Sequence, residues 1–169
     1  DGKKEAEILR QEIKKEIDSL KSKNNKVPGL TVILVGDFAP SQIYVKNKER
    51  SAKEVGINSN VVRYSKEVTE EEVLKKIEEL NNDADVSGIL VQLPLPPQIN
   101  KEKIINAVSP KKDVDGFHPM NVGNLSSGYR CLVPCTPLGC LYLIKKVEKN
   151  LPGKHAVIIG RSNLNGKPM

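Results

Sequence analysis

Apolar and polar residues alternate along the chain with two different periods, and these periods predict the secondary structure. Residues 3–22 place isoleucine and leucine at helical spacing among lysines and glutamates, which predicts an amphipathic first helix. The run from Leu30 to Val35 is apolar nearly throughout, as in a strand of a sheet covered on both faces. Similar patterns predict strands at 30–35, 60–64, 86–93 and 155–159, helices at 3–22, 41–55, 69–81, 101–108 and 137–149, and one helical turn at 121–125.

The order of these elements predicts the fold class. A strand followed by a helix and then by another strand usually forms a right-handed crossover between parallel strands. Local signals agree with this order, because Gly56 is a helix stop and Thr69 forms a capping-box pattern with Glu72. We therefore expect an α/β fold in which a mostly parallel sheet is covered by helices.

The last predicted strand, 155–159, ends in a glycine-rich turn over residues 160–168. Such a turn commonly presents backbone N–H groups to a phosphate and opens a helix, but no helix follows in this sequence. We therefore place a domain boundary near residues 135–137. We expect residues 1–135 to form one domain, and residues 136–169 to supply a linking helix, a strand and a turn of a second domain.

The composition is that of an ordinary globular protein of 169 residues, with 38% hydrophobic and 28% charged residues. The net charge of +6, from 27 basic and 21 acidic residues, mildly favours anionic ligands such as phosphates or polyglutamates. We expect neither a nucleic-acid nor a membrane partner, because aromatic-interleaved basic patches and membrane-length apolar stretches are both missing. Because the chain starts at Asp1 rather than at methionine, we expect it to be part of a longer protein.

The three cysteines, Cys131, Cys135 and Cys140, do not have the usual paired spacing of zinc ligands. We expect no metal site, and we expect Cys140 to pack on a helix. An odd number of cysteines in a lysine-rich globular chain suits a reducing compartment.

Tyr44 and Lys48 are the first candidates for chemistry. They lie four residues apart on a predicted helix, so both side chains can point into one site. That site would lie near the carboxyl end of a strand, where open α/β sheets usually bind ligands. On spacing alone, a packing tyrosine and a solvated lysine are the more common explanation of such a pair, because lysine is mostly a surface residue.

Five segments, taken together and in order, point to an enzyme family. They are Tyr44-x-x-x-Lys48, Gly88–Pro96, Pro110–Phe117, Pro134–Gly139, and Gly160-Arg161-Ser162 with Gly166 and Pro168. Each is a weak signal alone, but their order and spacing are specific. Over its whole length the chain resembles the bifunctional methylenetetrahydrofolate dehydrogenase–methenyltetrahydrofolate cyclohydrolase family.

The resemblance implies an enzyme of one-carbon metabolism that serves purine biosynthesis. It would oxidise 5,10-methylenetetrahydrofolate by hydride transfer to NADP, with NAD as the alternative, and hydrolyse the methenyl product to 10-formyltetrahydrofolate. Residues 1–135 would then be the folate-binding catalytic domain, and residues 136–169 the beginning of a Rossmann-like NAD(P)-binding domain. The resemblance also implies a homodimer, located in the cytoplasm or alternatively in the mitochondrion.

The resemblance assigns a role to each residue of the folate site. Lys48 would be the catalytic lysine, Gln92 would contact Lys48, Tyr44 would stack near the aminobenzoyl ring, and Asp115 would hydrogen-bond the pterin. Val91 and Leu93 would also contact the substrate. A lysine kept largely neutral by desolvation and an amide partner avoids repelling the iminium cation that hydride loss creates, and can help activate water.

Structural alternatives for these residues stay open. Gln92 at a strand end could have the purely structural role of capping a loop. Asp115 before Gly116 could likewise be a turn residue without a role in binding. We expect His118 to be a loop histidine rather than a catalyst.

The nucleotide site would begin at Gly160, Arg161 and Ser162, which would hold the cofactor phosphates. Asn165 departs from the small apolar residue that the family usually carries before Gly166. Because most of a nucleotide domain is missing from this sequence, we expect the 169 residues alone to have little dehydrogenase activity.

Two competing interpretations remain. A short-chain-type reductase also uses Tyr-x-x-x-Lys, but it places its glycine fingerprint before that pair, whereas this chain places it after. The other alternative is a basic or folate-binding module without dehydrogenase activity, for example one that binds RNA.

Overall fold

The computed structural model describes residues 1–24 and 26–169, and it confirms the predicted α/β class. Three parallel strands form one sheet in the order β2-β1-β3, and helices connect them. The elements are α1 (Gly2–Asn24), β1 (Gly29–Val35), α2 (Ala39–Val55), β2 (Asn58–Tyr64), α3 (Glu70–Asn82), β3 (Gly88–Val91), α4 (Lys101–Ala107), α5 (Pro119–Ser126) and α6 (Cys135–Val147).

The central strand β1 fixes the register of the sheet. It pairs with β2 from Gly29↔Asn58 to Val35↔Tyr64, and with β3 from Leu30↔Gly88 to Ile33↔Val91. Because all strands run in the same direction, their carboxyl ends meet at one edge of the sheet. Gln92 and the residues that follow leave β3 at that edge.

Alternation along β1 divides the core between the two faces of the sheet. Ile33 and Val35 belong to the larger apolar cluster, which contains residues of α3 and α4 such as Ile77 and Ile104. Val32 and Leu34 belong to a smaller cluster with Val45 of α2 and Leu90 of β3. Helices therefore cover both faces, as the apolar run in β1 predicts.

The predicted helix signals are present. Thr69 Oγ1 accepts a hydrogen bond from the Glu72 N–H at 3.2 Å, and Glu72 Oε2 accepts one from the Thr69 N–H at 3.0 Å. These bonds complete the capping box of α3. Gly56 ends α2 with a φ of 91°.

Two of the predicted strands need correction. β3 covers Gly88–Val91 rather than 86–93, although the Ser87 N–H still bonds to the Gly29 carbonyl at 2.8 Å. The strand predicted at 155–159 does not form, and its Val157 and Ile159 side chains are 77% and 99% exposed. A strand needs a neighbour that satisfies its backbone groups, and the described residues offer this segment none.

Helix α6 begins at Cys135, two residues earlier than predicted, and ends at Val147. Pro137 falls in its first turn, where a missing N–H costs no helical hydrogen bond. None of the helices in residues 1–24 and 26–169 combines the length and apolarity that a membrane crossing requires.

Candidate active site

A cavity of about 810 Å³ opens on the α2 side of the sheet and reaches the carboxyl end of β3. Its wall includes residues of α2, β1 and β3, and of the segments 114–117 and 134–136. The structure brings together in this wall most of the side chains that the resemblance assigns to folate, namely Tyr44, Lys48, Gln92, Leu93 and Asp115.

Helix α2 supplies Tyr44 and Lys48. The buried Val45 fixes the helix against the sheet, and Tyr44 and Lys48, at positions i and i+4, both face the cavity. The Tyr44 ring is 62% exposed, whereas Lys48 is partly buried. Tyr44 therefore offers an accessible ring face at the cavity, and the Lys48 ammonium reaches a more sheltered position.

The Gln92 side chain is held at both ends of its amide group. Its Nε2 donates a hydrogen bond to the Leu93 carbonyl at 2.8 Å, and its Oε1 accepts one from Lys48 Nζ at 3.1 Å. The Gln92 N–H also bonds to the Ile33 carbonyl at 2.9 Å, which continues the ladder past the end of β3. The strand thus places an oriented acceptor against Lys48.

Val91 does not reach this cavity with its side chain. It packs against the larger core cluster, whereas Leu90 and Gln92 line the cavity. Successive residues of a strand point to opposite faces, so the three cannot share one side. Any contact of Val91 with the substrate would therefore involve its backbone, and its substrate-binding role stays a prediction.

Asp115 is a partly buried carboxyl in the cavity wall. Burial raises its pKa above the ordinary value, because desolvation disfavours the charged form. The Lys48 ammonium opposes this rise, and the Asp113 carboxylate adds to it. Lys48 and the Asp115 carboxyl therefore influence each other within the wall of one cavity.

The loop that carries Asp115 is tightly fixed. Gly116 has a φ of +67°, and a Cβ built there would lie 2.7 Å from the Leu132 carbonyl oxygen. Both the left-handed backbone and the lack of space for a Cβ therefore require glycine at this position. His118 caps α5, since its Nδ1 accepts a hydrogen bond from the Met120 N–H at 3.0 Å. That contact supports a structural role for His118.

Sequence reasoning missed two residues that support this loop, the buried Asp113 and Asn121. Asp113 Oδ2 accepts hydrogen bonds from the His118 N–H at 2.8 Å and from Asn121 Nδ2 at 2.9 Å. Asp113 itself, a charged residue two positions before Asp115, was the only sequence signal for this support. The signal is not specific, because an exposed aspartate in a turn gives the same sequence pattern.

Cys135 at the start of α6 also lines the cavity, which the sequence did not indicate. Burial raises the pKa of its thiol, and the Asp115 carboxylate raises it further. Within the part of the chain that the structure describes, no three His, Cys, Asp or Glu side chains are grouped as metal ligands would be.

The glycine-rich turn forms near the end of the chain. A Cβ at Gly166 would lie 2.2 Å from the Gly160 carbonyl oxygen, so the two backbones approach closely. Ser162 Oγ accepts a hydrogen bond from the Asn165 N–H at 3.1 Å. Arg161 and Ser162 are exposed and lie outside the cavity, whereas Leu164 and Asn165 line it.

Known families and proteins match this chain over its whole length. A family model described as tetrahydrofolate dehydrogenase/cyclohydrolase, catalytic domain, matches residues 1–115, and the NAD(P)-binding domain model of the same family matches residues 134–169. The bifunctional protein FolD of Pelagibacter ubique is 66% identical over all 169 residues. The chain spans 60% of the length of that relative.

Solved structures agree with this match. The bifunctional enzyme FolD from Campylobacter jejuni superposes with a TM-score of 0.97 at 48% identity, covering 100% of this chain and 60% of that one. The Trypanosoma brucei dehydrogenase-cyclohydrolase, solved with NADP cofactor and inhibitor, has a TM-score of 0.95 at 32% identity, covering 99% of this chain and 58% of that one.

Proposed function

Because the chain belongs to the tetrahydrofolate dehydrogenase/cyclohydrolase family, we propose that its protein carries out two successive steps on a folate. The first oxidises 5,10-methylenetetrahydrofolate to the 5,10-methenyl cation, and the second hydrolyses that cation to 10-formyltetrahydrofolate. One observation carries the proposal: the 3.1 Å hydrogen bond between Lys48 and Gln92, in a cavity that Tyr44 and Asp115 also line.

Asp115 and Tyr44 bind and orient the folate. The Asp115 carboxylate accepts hydrogen bonds from the N–H groups of the pterin, and its partial burial strengthens such charge-assisted bonds. The exposed Tyr44 ring provides a face on which the aminobenzoyl ring stacks. Between these contacts, the reacting carbon lies beside Lys48.

Lys48 handles the proton of the hydrolysis step. A water molecule attacks the methenyl carbon and loses a proton to the Lys48 amine, and the bond from that carbon to one ring nitrogen then breaks. As that bond breaks, the hydroxyl group loses its remaining proton and becomes the formyl C=O, the released nitrogen takes up one proton, and the formyl group stays on the other nitrogen. Gln92 accepts a hydrogen bond from Lys48, and its own bond to the Leu93 carbonyl keeps the acceptor in place.

Gly160, Arg161 and Ser162 would hold the phosphates of NADP, or of NAD as the alternative. The compact turn fits this role, because the close approach of Gly160 and Gly166 leaves Arg161 and Ser162 exposed on its surface. When bound, the cofactor would supply the acceptor for the hydride of the methylene carbon. The chain's own residues hold the folate for that transfer.

The organisation of the protein is part of the proposal. Residues 1–135 act as the catalytic domain and residues 136–169 as the beginning of the nucleotide domain, a division that the separate matches to 1–115 and 134–169 support. A homodimer, a cytoplasmic location and little dehydrogenase activity in the 169 residues alone remain predictions.

Calorimetric titration of the full-length protein with tetrahydrofolate tests the proposal. We expect saturable binding, together with weak and strongly salt-dependent binding to mixed RNA oligonucleotides. Oligonucleotide binding that persists at high salt, with no heat from tetrahydrofolate, would instead favour the basic binding module.

A further inference from the structure

Asp113 has a carboxylate that the proposed reaction does not use. The residue is only 6% exposed, and its hydrogen-bond partner Asn121 is 4% exposed. Burial of a carboxylate is costly unless several donors compensate it, so a buried aspartate next to the site needs an explanation.

The hydrogen bonds of Asp113 close the loop that carries Asp115. Asp113 Oδ2 accepts from the His118 N–H at 2.8 Å, and the Asp113 carbonyl accepts from the Gly116 N–H at 3.1 Å. Asp115 lies between these two anchor points. Its position in the cavity wall therefore depends on bonds that converge on one residue.

Asn121 connects this loop to the rest of the fold. Its Nδ2 donates to Asp113 Oδ2 and to the Pro110 carbonyl, both at 2.9 Å. Asp113 also forms a parallel bridge with Ile89 of β3. The loop is thus attached to the same strand that leads to Gln92.

We propose that Asp113 is a positioning residue for the folate reaction, which fixes the Asp115 loop and acts on the pterin only through Asp115. The inference rests on the proposed function, since it assumes that Asp115 binds the pterin. Asp113 lines the smaller neighbouring cavity rather than the folate cavity, so it is not itself a catalytic residue.

The charge of Asp113 gives this role a measurable signature. Two charged groups act on the Asp115 carboxyl, Lys48 from α2 and Asp113 from its own loop, and Asp115 in turn acts on the Cys135 thiol of α6. The Asp113 carboxylate raises the pKa of Asp115, so removing that charge lowers it. Since the ionised Asp115 binds the pterin, tetrahydrofolate binding would then persist to lower pH.

Two substitutions separate geometry from charge. Asp113→Asn keeps one side-chain oxygen, which can accept both bonds that Oδ2 now accepts, and removes the charge. Asp113→Ala removes the oxygen acceptor as well as the charge. Asp18→Asn is the matched control, because it removes the same charge from the exposed surface of α1.

The experiment is calorimetric titration of each folded variant of the full-length protein with tetrahydrofolate across the acidic pH range. We expect Asp113→Ala to weaken binding by about tenfold to a hundredfold, the scale of a lost buried hydrogen bond to a charged group. We expect Asp113→Asn to bind tetrahydrofolate with wild-type affinity at neutral pH. On acidification, this variant should lose its binding at a lower pH than wild type does. Asp18→Asn should match wild type throughout.

Wild-type affinity in a folded Asp113→Ala variant would overturn the positioning role. If Asp113→Asn lost tetrahydrofolate binding at the same pH as wild type, the charge effect would be overturned. If Asp113→Ala does not fold, Asn121→Ala takes its place in the experiment. Wild-type affinity for tetrahydrofolate in Asn121→Ala would also overturn the positioning role. A wild-type full-length protein that does not bind tetrahydrofolate at all would instead refute the proposed function.

Discussion

Replacing Gln92 by leucine tests the catalytic pair with little disturbance of packing. Leucine has a similar size, so the change leaves no large cavity. It removes the acceptor that lies 3.1 Å from Lys48 Nζ, and also the donor to the Leu93 carbonyl. Lys48 would remain in the cavity without an oriented partner.

The size of the effect follows from the bond that is lost. Lys48 becomes positively charged as it takes the proton from water, and a hydrogen bond that involves a charged group contributes about 1.5–3 kcal/mol. If that contribution orients Lys48 in the transition state, kcat for cyclohydrolysis should fall by roughly 10- to 150-fold, at about 1.36 kcal/mol per factor of ten. The folate affinity should change much less, because Asp115 and Tyr44 are intact.

The assay follows the loss of methenyltetrahydrofolate absorbance in the full-length protein, with calorimetry for folate affinity. Gln11→Leu on the exposed surface of α1 is the control for an amide-to-leucine change. A wild-type kcat in Gln92→Leu would refute the role of the pair. An equal loss of affinity and rate would show that Gln92 shapes the binding site rather than the reaction.

Two further predictions concern stability. Since burial raises the pKa of Asp115, the contribution of this group to the free energy of unfolding should fall as pH rises above the ordinary 3.8. Asp115→Asn should therefore have a higher Tm than wild type at neutral pH but not below pH 3.8, and a pH-independent difference between the two would contradict this. Gly116→Ala should cost more than the about 1–2 kcal/mol of a left-handed alanine, because the Leu132 carbonyl is 2.7 Å from the new Cβ. Gly128→Ala, with a φ of +76° but open space, is the control in urea unfolding, and equal losses would exclude the steric contribution.

Much of the fold is determined locally and could be predicted. The apolar run of β1 and the capping box at Thr69 specify their elements through nearby residues alone. The strand expected at 155–159 shows the limit of such reasoning. Its apolar pattern is suited to a sheet, but a strand forms only when a neighbouring strand accepts its hydrogen bonds.

The site could be predicted less completely. The i, i+4 spacing of Tyr44 and Lys48 placed both on one helix face, but it could not distinguish a catalytic pair from a solvated one. The contact of Lys48 with Gln92, 44 positions away in sequence, depends on how α2 packs against the sheet. Likewise, the burial of Asp113 depends on Asn121 of α5, and no local pattern indicates that contact.

The most direct test of the account is the cyclohydrolase rate of the full-length protein with Lys48→Met. Methionine keeps much of the length of the side chain but cannot accept a proton. Lys46→Met, on the exposed side of the same helix, is the matched control. The account predicts loss of methenyltetrahydrofolate hydrolysis in Lys48→Met with folate binding and folding retained, and a wild-type rate in Lys46→Met. Hydrolysis at the wild-type rate in Lys48→Met would contradict it.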